Sequence, residues 1–203
     1  MDVRLAGVLV FPSMLSPIPS GMLVAIEGID GAGKTTIASS LAIMCERRHI
    51  PHVLSKEPTA GFYGQKLRDS AVTGRMSLED ELDLFIKDRN DHVETRIGPA
   101  LKAGKAVILD RYYFSTAAYQ GAWGVSPEHI IAVNEAFAPR PTLLLILDLP
   151  AREGLSRIRA RGDKPNMFER EEMLDKSREI FLSMRYPYAR FIDARKPDRK
   201  SVV

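Results

Sequence analysis

The apolar residues of this chain fall into short continuous runs rather than an alternating pattern. Three runs are strong, at residues 23–28 (LVAIEG), 106–111 (AVILDR) and 142–149 (TLLLILDL), and two weaker ones occupy residues 52–58 and 189–194. A strand that is buried on both faces, as in a parallel sheet, shows such a continuous run, whereas a half-exposed strand alternates. We therefore predict a five-stranded parallel sheet with both faces covered.

Segments with helical signals separate these runs. Helices are predicted at residues 34–48, from Ser77 to about Ala103, after Ser126, and at residues 169–184. Ser77 is followed three positions later by an acidic residue and Ser126 directly precedes a proline, and both features are typical of a helix N-terminus. Strands that alternate with helices predict an α/β fold of three layers, α/β/α.

The composition is typical of one globular domain. Of the 203 residues, 45% are hydrophobic and 27% are charged, and the net charge of +3 does not indicate a nucleic-acid-binding surface. No apolar run approaches the about 18 residues that span a bilayer. The single cysteine, Cys45, excludes an intrachain disulfide and suits a reducing cytosol. We expect a cytoplasmic protein that binds neither nucleic acid nor a membrane.

The first residues differ from the rest of the chain. Residues 1–21 are partly apolar but contain several prolines and serines, and Met22 directly precedes the first strong strand. We predict that residues 1–21 form an extension outside the fold and that residues 22–203 form a single domain.

The stretch AIEGIDGAGKTTIA, residues 25–38, connects the first strand to the first helix and contains G-x-x-x-x-G-K-[ST]. This spacing is typical of a phosphate-binding loop, or P-loop, because glycines let backbone N–H groups turn toward phosphate oxygens. The lysine reaches the β- and γ-phosphates, the hydroxyl group binds Mg²⁺, and the helix adds its positive end. We predict that the loop binds a nucleoside triphosphate. The predicted contacts are Gly28, Gly31, Gly33, Lys34, Thr35 and Thr36.

Three kinds of protein could use this loop. A GTPase switch would carry an N-K-x-D motif, which the sequence lacks. An ATPase acting as a binding module would need a positioned hydrolytic water and, typically, a further oligomerisation or DNA surface, for which the sequence shows no sign. A small kinase would need a second pocket for its acceptor and a lid that excludes water. Two further segments are candidates for that pocket and lid.

The first segment, VILDRYYFSTAAYQGAWG, begins in a predicted strand. Asp110 ends the strand, at the edge where open α/β sheets bind ligands. Arg111 follows it and offers a planar guanidinium that suits a phosphate group. Tyr112 and Tyr113 follow Arg111. Instead of binding a ligand, these two tyrosines could simply pack in the core at the N-terminus of a helix.

DRYYFSTAAYQG closely resembles the D-R-Y-x-x-S-x-x-A-Y-Q-G signature of thymidylate kinases, and the P-loop matches that family's E-G-x-D-G-x-G-K-T-T. KEP (56–58), LFIKDRNDHV (84–93) and GLSRIRARG (154–162) follow in the family's order, so the resemblance covers about residues 22–194. It implies a P-loop kinase with a small helical lid that phosphorylates dTMP with ATP and Mg²⁺ and forms a homodimer. A nucleoside monophosphate kinase with another base preference is the closest alternative, and the ATPase binding module is a more distant one.

The resemblance implies roles for individual acceptor-site residues. Asp30 corresponds to the carboxylate near the acceptor phosphate, its Mg²⁺ and the sugar 3′-hydroxyl. Phe85 corresponds to the ring that stacks on thymine and Arg89 to the arginine that bonds the base; their i, i+4 spacing places both on one helix face. Arg111 would hold the acceptor phosphate, with Arg68 as a helper.

The remaining acceptor and metal residues follow from the same resemblance. Thr116 would contact a polar edge of the base, Tyr119 would crowd the 2′ position of the sugar and favour deoxyribose, and Gln120 lies beside it. Glu57 is assigned to the phosphate or metal side of the acceptor. The metal ligands implied are Thr35, Asp30 and Asp110.

The second segment, RIRARGDKPNMFE, is the candidate lid, at about residues 157–169. On a helix, Arg157 and Arg161 share a face while Arg159 points elsewhere. The alternative to a functional lid is a basic helix that is simply exposed to solvent. In the thymidylate kinase family a lid arginine stabilises the transferred phosphoryl group when the P-loop has no arginine, and DGAG has none. We expect at least one of the three arginines to take this role and select Arg159 as the candidate, with Arg157 and Arg161 as the alternatives. The predicted catalytic residues are Lys34, Arg111, Arg159 and Asp30.

Two features depart from the family pattern. The usual D-R-x-E after the lid is replaced here by NMFE at residues 166–169. Only 9 residues follow Ala194, where the family has another helix after the last strand. From the second departure we expect one exposed face of the sheet and a weakened adenine pocket.

Overall fold

The fold is built on one β-sheet. A computed structural model describes residues 21–74, 76–162 and 171–195. Within these residues all strand pairs are parallel and the strand order is β2-β3-β1-β4-β5, which confirms the predicted five-stranded parallel sheet. The strands are β1 (Met22–Gly28), β2 (His52–Lys56), β3 (Ala106–Asp110), β4 (Leu143–Asp148) and β5 (Ala189–Asp193).

Helices occupy the connections between the strands and complete the predicted three-layer α/β/α arrangement. They are α1 (Lys34–Arg47), α2 (Phe62–Thr73), α3 (Leu78–His92), α4 (Gly98–Lys102), α5 (Tyr113–Ala122), α6 (Pro127–Glu135), α7 (Ala151–Ala160) and α8 (Glu171–Ser183). The sequence pattern predicts neither α7 nor α2. Helix α2 begins after Gly61 with no side-chain cap and no acidic residue in its first turn, so it lacks the usual start signals.

The helix predicted over residues 77–103 is interrupted. One turn of π-helix, Val93–Ile97, separates α3 from α4. Pro99 lies in the first turn of α4. Proline has no N–H to donate to the preceding turn and its ring clashes with a carbonyl there, so a regular α-helix cannot continue through it unchanged. The wider π-helical turn before Pro99 accommodates this break.

Both predicted serine caps are present. The Ser77 hydroxyl accepts a hydrogen bond from the Asp80 N–H at 3.1 Å, and the Ser126 hydroxyl accepts one from the His129 N–H at 3.2 Å. Each satisfies a backbone donor in a first turn that has no partner within its helix. The start of α3 and of α6 is therefore fixed by local chemistry that the sequence displays.

The core lies between the central strands and the helices that cover them. Every residue of β3 is buried, and Tyr112, Tyr113 and Phe114 are fully buried at the start of α5. Tyr112 donates its hydroxyl hydrogen to the Pro139 carbonyl and Tyr113 to Glu135. The core-packing alternative for these two tyrosines is thus observed, and each satisfies its polar end in place.

The edge strands are more exposed than the central ones. Leu54 of β2 is 37% exposed and Ile192 of β5 is 38% exposed. The exposed face expected beside the last strand depends on residues 196–203, which lie outside the described residues. Within the described part of β5, the side chain of Ile192 is partly exposed.

The carboxyl ends of the strands bring the predicted site residues to one edge of the sheet. Gly28 ends β1 and Asp110 ends β3, and Asp110 lies beside Ile26 and Lys56 in the strand register. Glu57 directly follows β2. Parallel strands all end at this edge, so residues far apart in sequence meet there.

Parts of the predicted organisation fall outside the described residues. These parts are residues 1–20 of the extension and residues 163–169 of the lid. Gly21, placed at the end of the extension, already donates its backbone N–H to the Leu101 carbonyl at 3.1 Å. Among the helices that the structure describes, none has the length and apolarity that crossing a membrane requires.

Two leucines in the sheet provide a matched test of the core. Leu144 of β4 is fully buried, whereas Leu54 lies on the edge strand β2. Leu144→Ala should lower the free energy of unfolding by about 2–5 kcal/mol, because it leaves a cavity in close-packed surroundings. Leu54→Ala should lower it by less than about 1.5 kcal/mol. Urea unfolding measures both values, and equal losses would contradict this placement of Leu144.

Candidate active site

The loop between β1 and α1 forms a tight cradle against α7. Gly31 has a φ of +83°, which side-chain-bearing residues rarely adopt. A Cβ at Gly31 would lie 2.4 Å from the Gly154 carbonyl oxygen, and a Cβ at Gly154 would lie 2.5 Å from the Asp30 carbonyl oxygen. Glycine at both positions therefore allows α7 to touch the loop.

Lys34 lies inside the cradle. Its ammonium donates to the Ile29 carbonyl at 2.8 Å and to the Gly28 carbonyl at 3.0 Å. Burial, followed by the positive charge of Arg111, lowers the pKa of Lys34 to about 7. A phosphate group bound in the loop would favour the charged ammonium and raise that pKa. The positive charge of Lys34 would stabilise a phosphate bound in the loop, and the phosphate would in turn stabilise the charged form of Lys34.

Thr35 and Asp110 bring two oxygen groups together at the sheet edge. The Thr35 hydroxyl donates to Asp110 Oδ2 at 2.5 Å, and the Lys56 ammonium lies 3.8 Å from the same oxygen. Asp110 Oδ1 is buried and has no hydrogen-bond partner among the described residues. A buried carboxylate oxygen beside a hydroxyl suits a hard cation such as Mg²⁺. In the described residues no group of three or more His, Cys, Asp or Glu could hold a metal ion.

An ion pair joins the P-loop to the segment that follows β3. Arg111 Nη2 donates to Asp30 Oδ1, and the Tyr119 hydroxyl donates to Asp30 Oδ2 at 2.9 Å. The Arg111 guanidinium also lies 5.3 Å from the centre of the Tyr119 ring, within the range of a cation–π contact. Asp30, Arg111 and Tyr119, all predicted acceptor residues, therefore form one contact cluster.

The charges of this cluster support one another. Burial alone would raise the pKa of Asp30, but the positive charges of Arg111 and Lys34 and the hydrogen bond from Tyr119 lower it below its ordinary value. Burial by itself would lower the pKa of Arg111, but the Asp30 carboxylate, together with Tyr119 and Glu27, raises the pKa above its ordinary value. Asp30 and Arg111 are both charged over the whole neutral range.

A cavity of about 300 Å³ opens beside this ion pair. All nine predicted acceptor residues line it: Asp30, Glu57, Arg68, Phe85, Arg89, Arg111, Thr116, Tyr119 and Gln120. These residues come from the P-loop, the segment after β2, and helices α2, α3 and α5 with their flanks. The lining combines charged groups, among them Arg111 and Asp30, with the aromatic ring of Phe85, which suits a ligand with an anionic group and a flat ring.

Arg89 is held rigidly in the wall of this cavity. Its side chain is 1% exposed, and it donates to Glu57 Oε2 at 2.8 Å, Asn134 Oδ1 at 2.5 Å and Thr116 Oγ1 at 3.1 Å. Three acceptors around one planar guanidinium fix its orientation. Asn134 in turn donates to the Ile130 carbonyl, so α6 supports the arginine from behind.

Glu57 is the hub of a second layer of contacts. Besides Arg89, its carboxylate bonds to His92 Nδ1 at 2.9 Å, and His92 Nε2 bonds to the Ser55 hydroxyl at 2.8 Å. Glu57 is only 3% exposed, so this carboxylate is compensated by a buried guanidinium and an imidazole. Glu57 thus lines the cavity and also holds Arg89 in its orientation.

The other predicted acceptor residues are also anchored. Arg68 donates to the Pro58 carbonyl at 3.0 Å and is held beside the loop that follows β2. The Gln120 amide donates to Glu81 Oε2 at 2.9 Å, and both residues are 1% exposed. Arg68 and Gln120 are thus both held by hydrogen bonds to neighbouring groups.

The lid arginines differ in their surroundings. Arg157 of α7 donates to the Gly31 carbonyl at 3.4 Å and to the Ala194 carbonyl at 2.8 Å, so it lies between the P-loop and the end of β5. Arg159 and Arg161 are exposed, the first on α7 and the second just after it.

Several buried polar residues of the site were missed by prediction from the sequence. They are Glu27, Glu81, His92 and Asn134. For Glu27 a signal exists, because a carboxylate inside the apolar run LVAIEG must find partners when the strand is buried. His92 and Asn134 carry no comparable local signal, since their roles depend on residues from other elements.

Comparisons with known proteins agree with this geometry. The family model described as Thymidylate kinase matches residues 26–201. A protein named Thymidylate kinase from Xanthomonas campestris pv. campestris (strain B100) is 56% identical over 176 residues, which cover 87% of this chain and 77% of that protein.

Two further relatives carry the same name. The one from Xanthomonas oryzae pv. oryzae (strain PXO99A) is 54% identical over 176 residues, covering 87% of this chain and 77% of that protein. The one from Xylella fastidiosa (strain M23) is 54% identical over 177 residues, covering 87% of this chain and 81% of that protein. With a family match over most of its length and relatives at this identity, the chain belongs to the thymidylate kinase family.

Proposed function

We propose that this protein transfers the γ-phosphoryl group of ATP to the phosphate of dTMP, which yields ADP and dTDP. The observation that carries the proposal is the cavity beside the P-loop, which is lined by all nine predicted acceptor residues and linked to the loop by the Asp30–Arg111 ion pair. Family membership and the names of the relatives support the same activity.

The donor occupies the P-loop in this proposal. Backbone N–H groups of residues 28–36 and the positive end of α1 surround the β- and γ-phosphates. Lys34, which lies within the loop, neutralises the γ-phosphate as the transferring group moves. The contact between Gly154 of α7 and Gly31 supports a position beside the phosphates for the lid arginine that follows in the sequence.

The acceptor occupies the cavity with its phosphate toward Arg111 and its base toward Arg89. Arg111, with Arg68 as a helper, binds the phosphate; Phe85 stacks on thymine and Arg89 bonds to the base. Thr116 contacts a polar edge of the base. Both arginines line the same cavity, which supports a ligand that has an anionic group and a base.

The sugar of the acceptor lies between these ends. Tyr119 and Gln120 flank its 2′ position, and Asp30 lies near its 3′-hydroxyl. The Tyr119 hydroxyl is held by Asp30 at 2.9 Å, so the ring has little freedom to move away from a 2′-hydroxyl. This crowding favours deoxyribose. Glu57 acts by holding Arg89.

The reaction needs no general base. A phosphate oxygen of dTMP attacks the γ-phosphorus of ATP, the bond from that phosphorus to the bridging oxygen breaks, and ADP leaves with the bond's electron pair. The attacking oxygen is already largely anionic at pH 7, because the second pKa of a phosphate monoester is about 6. Catalysis therefore rests on alignment and on neutralising charge around the phosphorus, which Lys34 and Arg111 are placed to do.

We also propose that Mg²⁺ accompanies the nucleotide. Thr35 and Asp110 would hold it, with Asp30 on the acceptor side, and the unpaired Asp110 Oδ1 supports this assignment. When bound, Mg²⁺ supplies charge neutralisation at the phosphate oxygens. A homodimer and a cytoplasmic location complete the proposal, on the strength of the family resemblance and the single cysteine.

Acceptor dependence tests the function. ADP release is measured with ATP, Mg²⁺ and one of dTMP, UMP, CMP or AMP, or with no acceptor. The value of kcat/KM should be highest for dTMP. It should exceed the values for CMP and AMP by about 100-fold or more, because their bases leave buried polar groups of the cavity unpaired. It should exceed the value for UMP by about tenfold or more, because UMP lacks the thymine methyl group and carries the 2′-hydroxyl that Tyr119 crowds. Preference for another monophosphate would indicate a different kinase, and ADP release that ignores the acceptor would indicate an ATPase.

The lid arginine is tested with three matched variants. We propose that Arg159 reaches the transferred phosphoryl group, so Arg159→Ala should lower kcat by at least about 100-fold, as expected for loss of one group that stabilises the transition state. Arg157→Ala and Arg161→Ala are the controls and should lower kcat by less than about tenfold. A dominant loss in Arg157→Ala would instead assign the role to the arginine that contacts Gly31. Three rates near that of the wild type would leave the basic run as a solvated face.

A further inference from the structure

Glu27 is a buried carboxylate within the central strand β1. It is 0% exposed, and burial raises its pKa to about 7. A carboxylate in such a place is unfavourable unless it is well hydrogen-bonded, so its presence in an otherwise apolar strand calls for a reason. It does not line the acceptor cavity, and the reaction proposed above does not use it.

The hydrogen bonds of Glu27 converge on the start of α5. Its Oε1 accepts from the Tyr112 N–H at 2.7 Å and from the Ser115 N–H at 3.2 Å, and its Oε2 accepts from the Ser115 hydroxyl at 2.5 Å. Tyr112 is the N-cap of α5 and supplies no side-chain cap of its own. A local capping box satisfies these same two amides with two side chains of the helix. Here the single carboxylate of Glu27, from strand β1, accepts hydrogen bonds from both amides.

Arg111 precedes this capped turn and has an unusual backbone. Its φ is +74°, in the left-handed region that non-glycine residues seldom occupy. Such a conformation persists only when its surroundings enforce it. The Arg111 N–H donates to the Ile26 carbonyl and the next N–H, of Tyr112, donates to Glu27, so two successive amides are fixed by two successive residues of β1.

The side chain of Arg111 is connected to Glu27 as well. Arg111 Nη1 donates to the Ser115 hydroxyl at 3.2 Å, and that hydroxyl donates to Glu27 Oε2. Because the carboxylate takes the hydroxyl hydrogen, a lone pair of the Ser115 oxygen faces the guanidinium. Glu27 thus controls both the backbone that carries Arg111 and the direction of its side chain.

We infer that Glu27 is a positioning residue for the acceptor phosphate: it holds Arg111 in the conformation that points its guanidinium at that phosphate, without touching the substrate. The inference rests on the proposed role of Arg111 in binding the phosphate of dTMP. It distinguishes Glu27 from a carboxylate that merely stabilises the core, because only the phosphate end of the acceptor should depend on it.

Binding of dTMP and of thymidine, which lacks the phosphate, separates these two roles. In Glu27→Gln the amide can still accept from the backbone N–H groups, but its NH₂ group faces the Ser115 hydroxyl and competes with Arg111 for the oxygen. We expect the dissociation constant for dTMP to rise at least about tenfold, while those for thymidine and ATP change less than about twofold. Titration calorimetry measures all three.

Ser115→Ala provides the second variant, because it removes the link to the side chain of Arg111 and keeps the Tyr112 contact. It should show the same selective loss for dTMP in smaller measure, and it carries the test if Glu27→Gln does not fold. Equal weakening of dTMP and thymidine, or no weakening of either, would overturn the inference. If the wild type binds dTMP no more tightly than thymidine, the proposed role of Arg111 fails and the inference fails with it.

Discussion

The ion pair between Asp30 and Arg111 is the contact on which the site depends. Asp30 belongs to the P-loop and Arg111 to the segment after β3, so this pair fixes the P-loop against the wall of the neighbouring cavity, which are the donor and acceptor sides of the proposed reaction. Tyr119 joins the same carboxylate, and Lys34 and Arg111 both lower its pKa. In a phosphoryl transfer without a general base, the distance between donor and acceptor governs the rate, and a fixed contact between their binding elements sets that distance.

The rest of the site is arranged to hold its arginines before a ligand arrives. Arg111 is fixed by Asp30, by Ser115 and through the backbone contacts of β1, whereas Arg89 is fixed by Glu57, Thr116 and Asn134. A guanidinium that is already oriented loses little conformational freedom when it binds a phosphate or a base. A buried carboxylate without partners lowers the stability of a protein. Glu27 is hydrogen-bonded to the start of α5, next to Arg111, and Glu57 is hydrogen-bonded to Arg89.

The sequence predicts the parts of this molecule whose causes are local. Three continuous apolar runs and two weaker ones predict the five strands, and the P-loop spacing predicts the cradle, because each depends on a few consecutive residues. The family signature extends this to the residues that line the cavity. Helix α2, which has no capping signal, is not predicted. The sequence also does not predict that Asn134, 45 positions after Arg89, accepts a hydrogen bond from it, or that Glu27, 88 positions before Ser115, accepts one from its hydroxyl. Such contacts arise only when the fold brings distant elements together.

A double-mutant cycle on Asp30 and Arg111 tests the central claim most directly. The value of kcat/KM for dTMP at saturating ATP is measured for the wild type, Asp30→Ala, Arg111→Ala and the double variant. If the ion pair holds the two halves of the site together, the loss in the double variant will be at least about tenfold smaller than the product of the two single losses, a coupling of about 1.4 kcal/mol or more. Losses that simply multiply would show that the two residues act independently and would contradict this account.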